Sequence, residues 1–352
     1  MKGVSFQVGI MKQRNVTIKF LAKKAGVSFS TVAKALNDDP AININTRKRI
    51  QSLAKEYNYT PNILAKGLRS RRTMTIGVIL NDLQSPFYSE IYKAIGEVLN
   101  QKGYTMFLAD SNYNVERERK NILTMISQGV EGLIISSVSE NSSNIDLLIK
   151  EEVYTVFIDN LPSKCPLCCV YVDHEAAANL ALSHLLKNGH TDVLLLNGPQ
   201  DLPSSQRYLS GYKETLELYN IPFKENLVKH NPISIEATAD QMGKILRGED
   251  SVKKDEFSAI VTLSDVIAIG IYEAAIKYNF SIPETYSIVG YDNILATKYL
   301  NPPLTTVNQP KEQTGHHAAG ILLDRIEQGN KGLTQVILNP ELLVRASVKK
   351  LN

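Results

Sequence analysis

From Val16 to Asn37 apolar residues recur every three or four positions, in two runs broken at Ala25-Gly26-Val27-Ser28. Ile18, Leu21, Ala22 and Ala25 share one face of a first predicted helix, while Lys19, Lys23 and Lys24 fall on the solvated side. Gly26 ends that helix and Ser28 stands where an N-cap belongs. Val32 and Leu36 then continue an apolar stripe that can pack back on the first helix. Asn37-Asp38-Asp39-Pro40 reads as a turn. Asn45 or Thr46 is expected to cap a third helix whose Ile50, Leu53, Ala54 and Tyr57 form the core stripe, with Tyr59 closing the core. Residues 16–60 therefore predict a small all-α domain containing a helix-turn-helix.

The next segment, 61–73, predicts a short hinge helix and linker. Pro61 suits a first helical position, but two turns are marginal alone and Gly67 costs about 1 kcal/mol relative to alanine. Its folding should depend on a partner surface. From Thr75 the periodicity changes. TIGVIL, YTMFLA, VEGLIIS, YTVFID, TDVLLLN, FSAIVTL and TYSIVGYD are short β-branched runs separated by helical stretches such as Tyr88 to Gln101 and Ala176 to Asn188. That alternation predicts a parallel α/β architecture over 74–352. Two units, about 75–160 and 161–352, are expected, with a ligand cleft between them near the carboxyl ends of the strands. Residues 1–15 match no pattern and are expected to be a disordered leader, with Met11 as an alternative start.

Charge sharpens the picture. The net charge of the 352 residues is only +3, yet residues 1–72 carry 15 Lys and Arg against three acidic side chains, a net of +12. A segment so basic attracts phosphate through counterion release, whereas the acidic remainder is repelled by it. No stretch approaches the roughly 20 apolar residues of a membrane span, and the first 15 residues lack the core of a secretory signal. A cytoplasmic protein without a membrane partner is expected.

Double-stranded DNA is the partner this implies. The N-terminal residues of the second helix of a helix-turn-helix meet base edges, so Phe29, Ser30 and Lys34 are candidates for direct readout and Thr31 for a phosphate. Thr17, Ser28 and Asn37 complete the expected contact set of this domain. The competing reading of the segment alone is an ordinary helical hairpin with scattered lysines. Arg47, Lys48 and Arg49, at the start of the third helix, could equally touch phosphate or form a solvated face. In the hinge, Ala65 is small enough to approach a minor-groove floor, and Leu68 could wedge between base pairs or simply pack. Arg69 belongs to the same candidate surface.

These phrases, AGVSFSTVAKALN, TRKRI and YTPNILAKGLRS, resemble the lactose-repressor (LacI/GalR) family of bacterial transcription regulators, and the resemblance extends over nearly the whole chain from Val16. It implies that Leu68 is inserted at a central C-G step of a palindromic operator, with Ala65 beside it. It also implies that the α/β part has the two-subdomain fold of periplasmic sugar-binding proteins, with an effector in the cleft.

Several phrases locate that cleft. Phe87 and Tyr88, in LNDLQSPFY, start a helix, where rings could stack on a sugar or fill the core. Ser264 and Asp265 follow one strand and Asp292 another; carboxylates there suit sugar hydroxyls but also serve as caps. The resemblance places an arginine three residues before a Gly-Tyr pair in the pocket. Here Tyr208 holds that place and Arg207 lies four before Gly211, so Arg207 is a weaker effector candidate. PPLTTVNQP is read as a stiff crossover between the subdomains.

Cys165, Cys168 and Cys169 invite a metal or redox reading, but no second ligand pair lies nearby. A surface loop with free thiols is expected, with neither metal nor cofactor. His316 and His317 point in different directions on a helix. No Gly-rich phosphate loop, G-x-S-x-G or H-E-x-x-H motif is present, which argues against an enzyme. A sugar transporter would have no use for a +12 reader. The expected protein is a homodimeric regulator, most simply a repressor released by a sugar. A corepressor such as a purine that promotes binding remains the alternative.

Overall fold

The structure is a computed structural model that describes residues 16–59, 72–139, 143–162, 165–329 and 332–351. It divides into two compact units, Met1–Thr73 and Met74–Asn352.

In the first unit α1 (Ile18–Ala25), α2 (Phe29–Leu36) and α3 (Ile44–Glu56) enclose one core of Leu21, Ala22, Ala25, Val32, Ala35, Ile50 and Ala54. Thr17 caps α1, its hydroxyl accepting from the Phe20 N–H at 3.2 Å. Gly26 ends the helix at φ 64°, a left-handed conformation that glycine adopts without steric cost, and its N–H donates to the Ala22 carbonyl. That sharp stop lets Ser28 cap α2, accepting from the Thr31 N–H at 3.1 Å. The cap of α3 is Asn43, whose Oδ1 accepts from the Asn45 N–H at 2.9 Å, not Asn45 or Thr46. Ile44, 49% exposed, lies in the first turn outside the core, so the apolar stripe starts after the helix does.

The second unit holds two six-stranded sheets. The first, lobe 1, orders β11 (Gln335–Leu338), β5 (Cys168–Val172), β4 (Tyr154–Ile158), β3 (Gly132–Ile135), β1 (Thr75–Leu80) and β2 (Thr105–Asp110), all parallel. The second, lobe 2, orders β12 (Glu341–Leu343), β10 (Thr305–Asn308), β9 (Ser287–Asp292), β8 (Ala259–Thr262), β6 (Val193–Asn197) and β7 (Val228–His230), with β12 antiparallel. β1, β3, β6, β8 and β9 are buried along their length, as strands covered on both faces must be. Separate apolar clusters fill each lobe.

Three expectations need correction. The lobes do not meet at residue 160: β5 and β11 complete the first sheet, and the Lys311–Gln328 helix packs on it, burying Ala318, Ala319 and Leu322. The chain crosses between lobes three times, at Asp173, Gln309-Pro310 and Asn339-Pro340. PPLTTVNQP is accordingly more than a connector, because Thr305–Asn308 is a paired strand and only Gln309-Pro310 crosses. The cysteines do not form a surface loop either; Cys168 and Cys169 are buried in β5, where small apolar thiols suit a covered strand. All three are free thiols. Among the described residues there is no His, Cys, Asp and Glu group arranged to hold a metal, and no helix is long and apolar enough to cross a membrane.

Candidate DNA interface and ligand cleft

The core packing of α2 through Val32 and Ala35 turns Phe29, Ser30, Ala33 and Lys34 outward. Phe29 is 48% exposed, and Lys34 reaches only a loose ion pair with Asp39 at 3.9 Å, so its ammonium is available to a nucleic acid. Ser28 and Thr31 share a hydroxyl contact of 2.9 Å, and Asn37 ends the helix, its Nδ2 donating to the Ala33 carbonyl at 3.0 Å. Thr17, Ser28 and Asn37 thus hold helix ends while staying on the surface. Arg49 donates to the Ala25 carbonyl at 2.8 Å and Arg47 to the Asp38 carbonyl at 2.7 Å, which ties α3 to the turns before and after α2. Of that basic run Lys48 is exposed and has no such structural duty. Ala65, Leu68 and Arg69 lie outside the described residues.

In the second unit a narrow cleft lies between the lobes at the carboxyl ends of the strands, with about 380 Å³ of space when the adjoining open solvent is included. Lobe 1 contributes Phe87, Tyr88, Tyr113, Asp159 and Asn160; lobe 2 contributes His174, Leu202, Ser204, Ser264, Tyr291, Asp292 and Gln309. Pro86 at the first turn of the Pro86–Gln101 helix sets the buried Phe87 and Tyr88 in the cleft wall, their rings edge to face at 5.0 Å. The Tyr88 hydroxyl donates to Asp159 Oδ2 at 2.8 Å, and Asn160 Nδ2 donates to the same oxygen at 2.6 Å. Burial outweighs these bonds and raises the Asp159 carboxyl to about 6.

Several contacts span the lobes. Asn160 Oδ1 accepts from the Ser204 N–H at 2.9 Å, and His174 Nε2 approaches Asp159 Oδ1 at 3.9 Å. His174 Nδ1 pairs with the Tyr291 hydroxyl at 2.8 Å. Burial, then the nearby Arg207 charge, lowers the imidazole to about 4, so His174 is neutral near pH 7.

Asp292 accepts from Ser264 Oγ at 2.9 Å and Gln309 Nε2 at 2.7 Å, while its carbonyl accepts from Lys311 Nζ at 2.6 Å. Burial, and then the neighbouring Asp265, raise its carboxyl well above the usual range. Asp265 itself does not line the cleft. It is fully buried, accepting from Thr306 Oγ1 at 2.7 Å and the Ile294 N–H at 2.9 Å, and burial raises it to about 7. The strand beside it carries Gly290, where a Cβ would collide with the Asp265 carboxylate. Arg207 does not line the cleft either. Its guanidinium lies over the Tyr171 ring at 5.3 Å, while Tyr208 is fully buried, 5.4 Å from the Tyr291 ring.

Sequence reasoning passed over Asp159, Asn160, Tyr113, His174 and Gln309. A signal for the first two exists: Ile158-Asp159-Asn160 ends a strand of lobe 1 as Tyr291-Asp292-Asn293 ends one of lobe 2, and both aspartates take positive φ, 57° and 120°. The lobes offer matching Asp-Asn turns to the same space.

Both units match known protein families. Residues 17–62 match the family described as bacterial regulatory proteins, lacI family, and residues 73–346 match the periplasmic binding proteins and sugar binding domain of LacI family. The chain is 30% identical to the HTH-type transcriptional regulator DegA of Bacillus subtilis, covering 96% of this chain and 99% of DegA. It is 28% identical to the HTH-type transcriptional repressor PurR of Photobacterium profundum, with 96% and 99% covered. The Lac repressor dimer bound to operator and the anti-inducer ONPF has a similar fold, with a TM-score of 0.84 at 25% identity over 96% of this chain and 100% of that one. With α2 presenting its reader face and two lobes enclosing a cleft, the chain belongs to the lacI family of bacterial regulatory proteins and is a DNA-binding transcriptional regulator.

Proposed function

We propose that this regulator is a repressor that binds a palindromic operator as a homodimer and releases it when a small sugar closes the cleft. The outward face of α2, with Phe29 and Lys34 exposed and Ser30 part-exposed beside them, carries the reading. Those three side chains read base edges in the major groove; Thr17, Ser28, Thr31 and Asn37 lie at its phosphate rim. Ala65, Leu68 and Arg69 of the hinge meet the minor groove, with Leu68 as the wedge.

The effector lies between Phe87 and Tyr88 on one lobe and Asp292 on the other. Asp265 holds the loop behind Asp292 rather than touching ligand, and Arg207 stays outside. Because ligand contacts come from both lobes, its binding favours the closed cleft, and closure shifts lobe 1, which continues directly into the hinge segment.

Selection of bound genomic fragments with the purified full-length protein tests this reading. Enrichment of a palindrome with a central C-G step is the expected result, and the adjacent genes nominate the sugar. Failure to enrich any site with and without sugar pools would overturn it.

A further inference from the structure

We propose that the cleft is selective against anions, so that the effector carries neither phosphate nor carboxylate, and that Asp159 is the residue that sets this preference. The inference rests on reading the cleft as the effector site. Two carboxyls face the space, Asp159 from lobe 1 and Asp292 from lobe 2, and among the described residues no lysine or arginine lines it. Asp292 has a counterweight behind the wall: Lys311, 5% exposed at the start of the helix packed on lobe 1, reaches across to the Asp292 and Asn293 carbonyls, and Arg345 bonds Asn293 Oδ1.

Among the described residues no lysine or arginine is bonded to Asp159. The side-chain hydrogen-bond donors found on Asp159 are the neutral Tyr88, Asn160 and Ser136. The nearest imidazole, His174, is buried and neutral, and Arg207 lies over Tyr171. The phenol of Tyr113, in the cleft wall, reports the resulting field: after burial, Asp82, Asp159, Asp292 and Asp110 all push its ionisation upward. Above about pH 6 a phosphate placed there would meet the ionised Asp159 carboxylate in a partly desolvated site, whereas hydroxyls or a protonated amine would donate to acceptors already present. The surrounding rings of Phe87, Tyr88 and Tyr291 accept either a sugar face or a cation.

The test uses the full-length protein and matched sets of probes: pentoses and hexoses as free sugars, as amino sugars and as phosphate esters, with a nucleoside and its monophosphate as a further set. Binding is read by melting shift and by change in operator affinity. The expected outcome is that every ligand found is uncharged or amine-bearing and that its phosphorylated form binds at least ~100-fold more weakly. A phosphate ester that binds as well as its parent would overturn the proposal. Asp159→Asn should narrow the gap by about tenfold or more. An unchanged gap in a variant that melts normally would remove Asp159 from the role. If that variant does not fold, Gln309→Lys supplies the same test from lobe 2 and should strengthen phosphate binding. If no probe of any set binds, the reading of the cleft as a sugar site falls, and this proposal with it.

Discussion

On the functions proposed above, replacing Lys34 and Asp159 should separate DNA binding from ligand selection. Lys34 stands on the exposed face of α2 with only a 3.9 Å ion pair to hold it. Lys34→Ala should weaken operator binding, and the form of the loss identifies the contact. A phosphate contact lowers the salt slope by about 1, whereas a base contact relaxes one operator position by about 1 to 3 kcal/mol. A salt titration against an operator and its single-base variants distinguishes the two. Asp159 acts on stability through protons. Its carboxyl is raised to about 6 in the folded unit, so the stability it contributes is present below the unfolded value near 4 and is lost as pH rises through 6. His174, lowered to about 4, has the opposite sign: its contribution is present above about 6.5 and is lost as pH falls toward 4. The two neighbours largely offset each other between pH 4 and 6. Asp159→Asn removes one side of that balance, and its melting temperature relative to wild type should climb between pH 4 and 8, by up to about 3 kcal/mol of relative stability. A relative melting temperature independent of pH would show that the carboxyl is not held neutral.

At the scale of elements, α1 and α2 depend on their caps. Ser28→Ala removes the side-chain acceptor of the Thr31 N–H and should cost about 1 kcal/mol of local stability, visible as faster amide exchange in α2 before any change elsewhere. Gly26→Val, forced to φ 64°, should cost more and also tilt the reader helix, so operator binding should fall further than with Ser28→Ala. These elements were legible in sequence because their signals are local: a stripe, a glycine stop and a serine cap within 20 residues. The strands β1, β2, β3, β4, β6, β8 and β9 were legible for the same reason. What escaped depends on distant partners. Cys168–Val172 has no alternating pattern and becomes a strand only by pairing with β4 and with β11, more than 150 residues away. Asp159 and His174 gain their significance from the approach of two lobes, which no run of neighbouring residues encodes. The misplaced start of α3 came from an exposed Ile44 that burial does not explain.

For the whole molecule, the proposed logic requires the cleft and the DNA surface to communicate through residues 61–73. Replacing this hinge with a flexible Gly-Ser linker should leave effector binding intact, weaken operator binding and abolish the effect of ligand upon it. If the ligand still changed operator affinity by the wild-type factor, coupling would have to run by another route. The homodimer proposed here makes a further demand, that enriched operators be two-fold symmetric with half-sites at a fixed spacing.

The three crossings between the lobes also determine when the second unit can exist. Lobe 1 is assembled from 74–172 and 311–338, and lobe 2 from 174–308 and the segment that begins at β12. On a ribosome the first 172 residues emerge with the sheet lacking its edge strand and with the apolar faces of β3, β4 and β5 uncovered, because the Lys311–Gln328 helix has not been made. Neither lobe is finished until β11 and β12 have been made, so synthesis passes through a long interval in which the basic, DNA-binding unit has emerged ahead of an unfinished body.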